Sequence, residues 1–171
     1  HGLTMALIAT ICICIPFIPS ALFSSLSNLF VAPNKYIFWS FCVGVMILIF
    51  LKSTNRDLNF RQIFWITYLF FISLVEEITF RLSIPLVATE FFGIGLFWFY
   101  VFLSNTLFAI IHYFTLRWKI RACILAFLGG MAFSRLFETT EDLALVIILH
   151  WAITFLNTPT PPKIENLAMK N

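Results

Sequence analysis

Charged side chains are scarce in this sequence of 171 residues. Asp, Glu, Lys and Arg make up 11% of it, whereas 61% is apolar and 18% is aromatic. A soluble domain carries about 25% charged residues, because polar side chains must cover its surface. The scarcity excludes a soluble globular fold and a disordered segment, and a net charge of +3 is too small to indicate a nucleic-acid module. An integral membrane protein remains.

The sequence also lacks a cysteine framework. Its cysteines lie within apolar stretches and none forms a CxxC pair: Cys12, Cys14, Cys42 and Cys123. This pattern indicates neither a disulfide scaffold nor a zinc ribbon, and it favours small buried hydrophobic side chains. Residues 3–18 are apolar, but they lack the signal-peptide pattern of a charged start followed later by a small-residue cleavage site. We therefore expect a retained membrane segment rather than a signal peptide.

Long, continuous apolar runs predict transmembrane helices rather than the alternating strands of a β-barrel. A helix needs about 20 apolar residues to cross the bilayer core. Six runs are near this length: 3–31, 36–51, 62–88, 94–116, 120–137 and 143–157. Pro16 and Pro19 predict a kink in the first run, and Pro85 is expected to bend or end the third. We expect an all-α bundle of about six transmembrane helices, forming one integral membrane domain over residues 1–171.

Basic residues are distributed unevenly among the predicted loops. Loops 52–61 and 113–121 and the C-terminal tail, which includes Lys163 and Lys170, carry eight of the eleven Lys and Arg residues. The positive-inside rule places these segments and both termini on the cytoplasmic or stromal side. The corresponding membrane would be a bacterial inner membrane, a thylakoid or other plastid membrane, or the endoplasmic reticulum membrane.

The third predicted span contains three ionisable residues, Glu76, Glu77 and Arg81. Each charge near the centre of a membrane helix costs about 2.5–3.5 kcal/mol, so intramembrane charges indicate function by default. Glu77 and Arg81 are i,i+4 neighbours and are expected to pair. Glu76 is turned by about 100° from Glu77 and is left free as a base or a ligand. The alternative is a salt-bridged trio that holds helices together.

Two histidines lie in other predicted spans, His112 in the fourth and His150 in the sixth. Thr154 and Asn157 follow His150 on the same helix face. A carboxylate and imidazoles can activate water, or they can bind a divalent metal such as zinc that does so. The sequence contains no HExxH motif, so a site formed by Glu76, His112 and His150 would need three helices. Estimated from helix rise alone, Glu76 and His150 lie at similar depths, whereas His112 lies closer to the basic side.

These motifs resemble those of the CPBP intramembrane proteases, a group that includes CAAX prenyl endopeptidases and bacteriocin-processing (Abi) proteins. Residues 76–81 match the pattern EExxxR, with Phe80 before the arginine. Residues 108–112, from Phe108 to His112, match FxxxH, and residues 127–130 resemble the glycine-bearing helix of the family. His150 and Thr154 match the last pattern, HxxxN, in part. The resemblance covers about residues 62–157, with the motifs in the same order.

The resemblance implies hydrolysis of peptide bonds within the membrane. It implies that Glu76 and His112 activate the water and that His150, with Thr154, stabilises the oxyanion. Glu77, Arg81, Phe108 and Asn157 would support these residues. The resemblance leaves open whether a metal, with Glu76, His112 and His150 as ligands, takes part. Two departures are Leu82, where the family often has glycine, and Thr154, where it usually has asparagine. Loss of one oxyanion donor lowers the rate by about 100- to 1,000-fold.

Three functions are compatible with the sequence. The first is an intramembrane endopeptidase acting on a membrane-associated peptide or protein. The second is a weakly active or inactive relative that serves as a scaffold or subunit of a larger membrane protein complex, which Thr154 favours. The third is a proton or ion pathway, which is disfavoured because the sequence lacks internal repeats. Membrane lipid is a partner in each case, and nucleic acid in none.

Overall fold

The computed structural model describes residues 1–162, which include no β-strand. The tail that carries Lys163 and Lys170 lies outside the described residues. The α-helices, in chain order, are α1 (Gly2–Ile13), α2 (Ile18–Ser25), α3 (Asn28–Val31), α4 (Pro33–Ser53), α5 (Phe60–Glu77), α6 (Ile84–Phe92), α7 (Phe97–Leu116), α8 (Ile120–Thr140) and α9 (Leu143–Asn157). A π-helix (Ile78–Ser83) joins α5 to α6, and a 3-10 turn (Ile94–Leu96) precedes α7. The predicted all-α class is confirmed.

Four continuous helices among the described residues are long and apolar enough to cross a membrane: Pro33–Ser53, Phe60–Phe92, Ile94–Leu116 and Ile120–Thr140. The pair Gly2–Ile13 and Ile18–Val31 reaches this length only together, and counting it as one span gives five. α9 is apolar but has 15 residues. The chain is therefore an integral membrane helix bundle. The count of six spans and the side on which each terminus lies stay predictions.

The N-terminal segment differs from the kinked single helix that the sequence predicts. α1 ends at Ile13, and the helices on the two sides of the break are bent by 106°. Pro16 has no N–H to donate to the Cys12 carbonyl, which accepts from Ile15 at 3.0 Å instead. The helical hydrogen-bond pattern is lost at this point, so the chain changes direction and does not cross as one straight helix.

The helix that contains Pro85 does not end near residue 88 but continues to Phe92. The proline ring crowds the Arg81 carbonyl and cannot donate to it, and the preceding turn widens into the π-helix. The hydroxyls of Ser83 and Ser104 donate to the carbonyls of Ile78 and Phe80, each at 2.7 Å. These hydroxyls supply donors to two carbonyls of the π-helix. The EExxxR residues therefore span the junction of α5 and the π-helix.

Two helix pairs enclose the centre of the bundle, α5 with α9 and α7 with α8. α4 packs against the outside of the α5–α9 pair through a core that includes Ile47, Leu69, Ile148 and Phe155. Large apolar side chains are exposed on the outer surfaces of the bundle, as expected for helices in contact with lipid. The arrangement brings one face each of α5, α7, α8 and α9 toward a common interior.

Asp142 fixes the start of α9, the helix that carries His150. One carboxylate oxygen caps the helix by accepting from the Leu145 N–H at 3.0 Å. The other accepts from Lys35 at 2.7 Å and from Tyr36 at 2.8 Å, which links α9 to α4. Burial raises the pKa of this carboxyl, which lies outside the membrane-spanning helices, but these hydrogen bonds outweigh burial and hold the pKa below its usual value.

Candidate functional site

The carboxylate of Glu76 lies between two imidazoles from other helices. Its Oε1 is 3.6 Å from Nε2 of His112 on α7, and its Oε2 is 3.6 Å from Nε2 of His150 on α9. All three side chains are buried. The structure thus brings together the residues that the sequence placed on three helices, and His112 lies at the depth of the other two. A separation of 3.6 Å exceeds a direct hydrogen bond and is suited to a bridging water molecule.

Glu77 has different partners from Glu76. Its Oε2 is 3.2 Å from Nε of Arg81, and both side chains are completely buried. Its Oε1 is 2.6 Å from Nδ1 of His150, a separation typical of a charge-assisted hydrogen bond. Because a carboxylate only accepts, Nδ1 of His150 carries the proton. Glu77 therefore orients both Arg81 and His150, while Glu76 faces the histidines.

Phe108 supports the site in two ways. Its backbone carbonyl is 2.8 Å from Nδ1 of His112, and a carbonyl can only accept a hydrogen bond. The proton of neutral His112 is therefore on Nδ1, and the lone pair of Nε2 is directed toward Glu76. The aromatic ring of Phe108 lies 4.6 Å from the guanidinium of Arg81 and 4.3 Å from the His112 ring. This contact adds a cation–π interaction to the buried arginine.

Thr154 lies one turn after His150 on the wall of the same cavity as Glu76. Its hydroxyl oxygen accepts a long hydrogen bond from Ser73, at 3.4 Å. The hydroxyl proton of Thr154 is then available to a group bound in the cavity. Asn157 lies further along the same wall and is exposed, so the structure does not bring it into contact with the Glu76 carboxylate.

A cavity of about 500 Å³ adjoins the Glu–His cluster. One wall is the face of α8 on which small side chains recur, from Ala122 and Ala126 to Gly129 and Gly130. The opposite wall comes from α5 and α9, and Leu125 and Ile153 on the two walls are 69% and 48% exposed. The volume is within the range of ligand-binding pockets, about 300–1,000 Å³. The cluster therefore adjoins a space large enough for a peptide segment.

Asn105, Ser134 and Gly130 form a support layer that sequence reasoning did not assign. Asn105 donates from Nδ2 to the Val101 carbonyl at 2.9 Å and to the Ser134 hydroxyl at 3.0 Å. A Cβ atom on Gly130 would lie 2.2 Å from Oδ1 of Asn105 and 3.3 Å from Nη2 of Arg81. The glycine pair in residues 127–130 was the only sequence signal of this close contact.

His1 is the other residue that sequence reasoning missed. Its Nε2 lies 2.9 Å from Oε1 of Glu76, and its Nδ1 lies 2.8 Å from the Thr115 hydroxyl. Its ring also packs against His112, with the ring centroids 4.8 Å apart. A histidine ahead of an apolar run has no spacing that relates it to the later motifs. Only the packing of α1 against α5 and the π-helix brings it to Glu76.

The described residues thus form a helical membrane bundle with a buried Glu–His cluster beside a cavity. Residues 58–156 match the family model described as Type II CAAX prenyl endopeptidase Rce1-like. The match covers more than half of the chain, which therefore belongs to the Rce1-like family, and the predicted resemblance is confirmed. No curated protein and no solved structure matched the chain.

Proposed function

We propose that the protein is an intramembrane endopeptidase in which Glu76 and His112 activate a water molecule. The observation that carries the proposal is the pair of 3.6 Å separations between the Glu76 carboxylate and the histidines beside the 500 Å³ cavity. These gaps suit a water that each side chain can reach, as general-base catalysis requires. Family membership supports a protease fold, and the family description, CAAX prenyl endopeptidase, supports membrane-associated CAAX-type peptides as substrates.

In this proposal the other polar side chains act on the developing charges. Water attacks the peptide carbonyl while Glu76 takes its proton, and the tetrahedral oxyanion forms beside α9. The Thr154 hydroxyl donates to the oxyanion. His150, whose Nδ1–H is held by Glu77, accepts at Nε2 the proton that Glu76 took from the water, and it delivers this proton to the leaving amine as the C–N bond of the tetrahedral intermediate breaks. The Glu77 carboxylate stabilises the imidazolium that forms during this transfer.

The experiment compares cleavage of a farnesylated CAAX-type peptide by reconstituted wild-type protein and two glutamate variants. Glu76→Gln keeps the size of the side chain but removes the base. General-base catalysis contributes about 10²–10⁴-fold to the rate, so we expect cleavage to fall by at least about 100-fold. Glu90→Gln is the matched control, because Glu90 is exposed on α6. Equal activity of wild type and Glu76→Gln contradicts the assignment of the base.

Thr154→Asn tests the oxyanion donor in the same assay. An asparagine amide is a fixed N–H donor, so we expect faster cleavage, by up to the roughly 100- to 1,000-fold that such a donor contributes. If wild type and Thr154→Asn are both inert and the protein co-purifies stoichiometrically with a larger complex, the scaffold function replaces the protease function. Activity that falls in Thr154→Asn would show that the threonine hydroxyl is the better donor here.

A further inference from the structure

We infer that the outer groove between α7 and α8 binds an anionic phospholipid, with one acyl chain in the groove and the headgroup at Arg117 and Arg121. The groove has a volume of about 290 Å³. None of the residues that line it also lines the cavity beside Glu76. The inference therefore goes beyond the proposed function and does not depend on it.

Each of the two helices contributes one regular stripe of side chains to the groove. The α7 stripe consists of Thr106, Ala109, Ile110, Tyr113 and Phe114. The α8 stripe consists of Ile120, Cys123, Ile124 and Phe127. Both stripes have the i, i+3, i+4 spacing of one helix face. The α7 stripe extends over about 12 Å, within the roughly 15 Å of hydrocarbon that one leaflet provides, so the groove matches an acyl chain of a single leaflet.

The groove ends beside two arginines. Arg117 comes three residues after Phe114 and four after Tyr113, so it continues the groove face of α7. Arg121 directly follows Ile120, where the α8 stripe begins. Both arginines are exposed, and no carboxylate within residues 1–162 forms an ion pair with either. Because residues 91–137 contain no Asp or Glu, this end of the groove is suited to an anion.

The backbone of Arg117 is a second observation that concerns its side chain. Arg117 ends α7 in the left-handed conformation, with φ 54° and ψ 39°. Glycine is the usual residue at this position of a helix end, because a side chain strains the conformation. Strain of this kind is characteristic of functional positions. Binding of a phosphate gives the arginine side chain a role that glycine could not perform.

An anionic phospholipid matches both parts of this surface. Its acyl chain fills the apolar stripes, and its phosphate accepts hydrogen bonds from the two guanidinium groups. Tyr113 is 46% exposed in the groove near the arginines, and tyrosine is enriched at the level of lipid headgroups. A second copy of the chain that packed through the same two helices would bring no carboxylate to the arginines, since residues 91–137 have none.

The test is native mass spectrometry of the detergent-purified protein, titrated with phosphatidylglycerol or phosphatidylcholine that carry the same acyl chains. A basic residue next to an anionic lipid contributes about 5-fold to binding. We expect wild type to bind one phosphatidylglycerol about 25-fold more tightly than phosphatidylcholine, since two arginines contribute. Arg117→Gln should lower this preference about 5-fold. Arg61→Gln is the matched control, because Arg61 is an exposed arginine on α5 outside the groove, and it should leave the preference unchanged.

Two further variants separate the contributions of charge, backbone strain and groove shape. Glycine adopts the left-handed conformation without strain, so Arg117→Gly should not lower the unfolding midpoint of the lipid-free protein. Its preference for phosphatidylglycerol should nevertheless fall about 5-fold, as in Arg117→Gln. Ala109→Phe fills the groove and should weaken binding of both lipids, because both carry the same acyl chains. Thermal unfolding checks that each variant is folded.

Four outcomes overturn the inference. Equal affinity of wild type for the two lipids would contradict recognition of headgroup charge. Equal loss of preference in Arg117→Gln and Arg61→Gln would indicate general attraction to a basic surface. Displacement of phosphatidylglycerol by an equal concentration of glycerol 3-phosphate would make a soluble anion the ligand. A dimer that Ala109→Phe dissociates would make a second copy the occupant. Because no readout uses cleavage, failure of the proposed protease function leaves this test unchanged.

Discussion

Glu76 and Glu77 are adjacent in the sequence, but their carboxylates have different partners. Glu76 faces three imidazoles, from His1, His112 and His150. Glu77 is paired with Arg81 and holds Nδ1 of His150. One helical step separates the two side chains by about 100°, so neighbouring residues reach different sides of the helix. We therefore expect Glu76 to affect activity most and Glu77 to affect stability most.

Arg81→Ala tests this difference between the two glutamates. The substitution leaves the buried Glu77 carboxylate without its cation, and breaking a buried pair in this way costs about 3–5 kcal/mol. Glu76→Ala removes a carboxylate that has no arginine partner and should lower stability less. The measurement is the thermal unfolding midpoint of both variants in the same detergent. Equal midpoints would contradict the separate roles of the two glutamates.

The convergence of Glu76, His112 and His150 could be predicted from the sequence, because charges and histidines stand out in apolar helices. The Glu77–Arg81 pair follows from their i,i+4 spacing. The contribution of His1 could not be predicted, since no local spacing connects it to the later helices. The helix-rise estimate placed His112 closer to the basic side than Glu76 and His150, whereas the structure brings the three side chains together. A sum of helix rises takes no account of helix tilt.

At the scale of helices, α7 and α8 approach each other at Gly130. A Cβ atom there would overlap Oδ1 of Asn105, at 2.2 Å, whereas a Cβ on Gly129 would have no heavy atom within 4 Å. Small residues allow membrane helices to pack closely, and this contact holds Asn105 near Arg81. The two glycines therefore have different tolerances to alanine, although they are adjacent.

Gly130→Ala should destabilise the protein by about 1–3 kcal/mol, the usual cost of forcing extra atoms into a packed core. Gly129→Ala is the matched control, and it should be neutral or stabilising by up to about 1 kcal/mol because alanine favours the helix. Thermal unfolding of both variants in one detergent measures the difference. A destabilised Gly129→Ala alongside an unchanged Gly130→Ala would show that the helices pack differently.

Local sequence signals predicted the positions of most helices but not their interruptions. Pro85 was expected to bend or end a helix, yet hydroxyls from Ser83 and Ser104 allow the chain to widen into a π-helix and continue. Near Pro16, no side-chain donor from residues 1–162 bonds to the Cys12 carbonyl, and the helix breaks. The difference depends on a neighbouring helix, because Ser104 lies on α7. A sequence pattern alone does not specify that contact.

The whole molecule is an integral membrane bundle, and its orientation remains a prediction from charge. Asp57 lies in the basic loop after α4, and Thr139 lies near the opposite end of α8. In a background without the native cysteines, Thr139→Cys should react with a membrane-impermeant maleimide from outside intact cells or closed vesicles of known orientation. Asp57→Cys should react only after permeabilisation. The opposite labelling pattern would reverse the orientation derived from the positive-inside rule.

In the proposed function, Glu76 and His112 act on one water molecule. A double-mutant cycle tests this. It compares the rate of peptide cleavage by reconstituted wild type, Glu76→Gln, His112→Ala and the double variant. Residues that act as a unit show strongly non-additive effects on rate. We predict that the double variant is no slower than the slower single variant. Rate losses that multiply, or a single variant with wild-type activity, would contradict the claim.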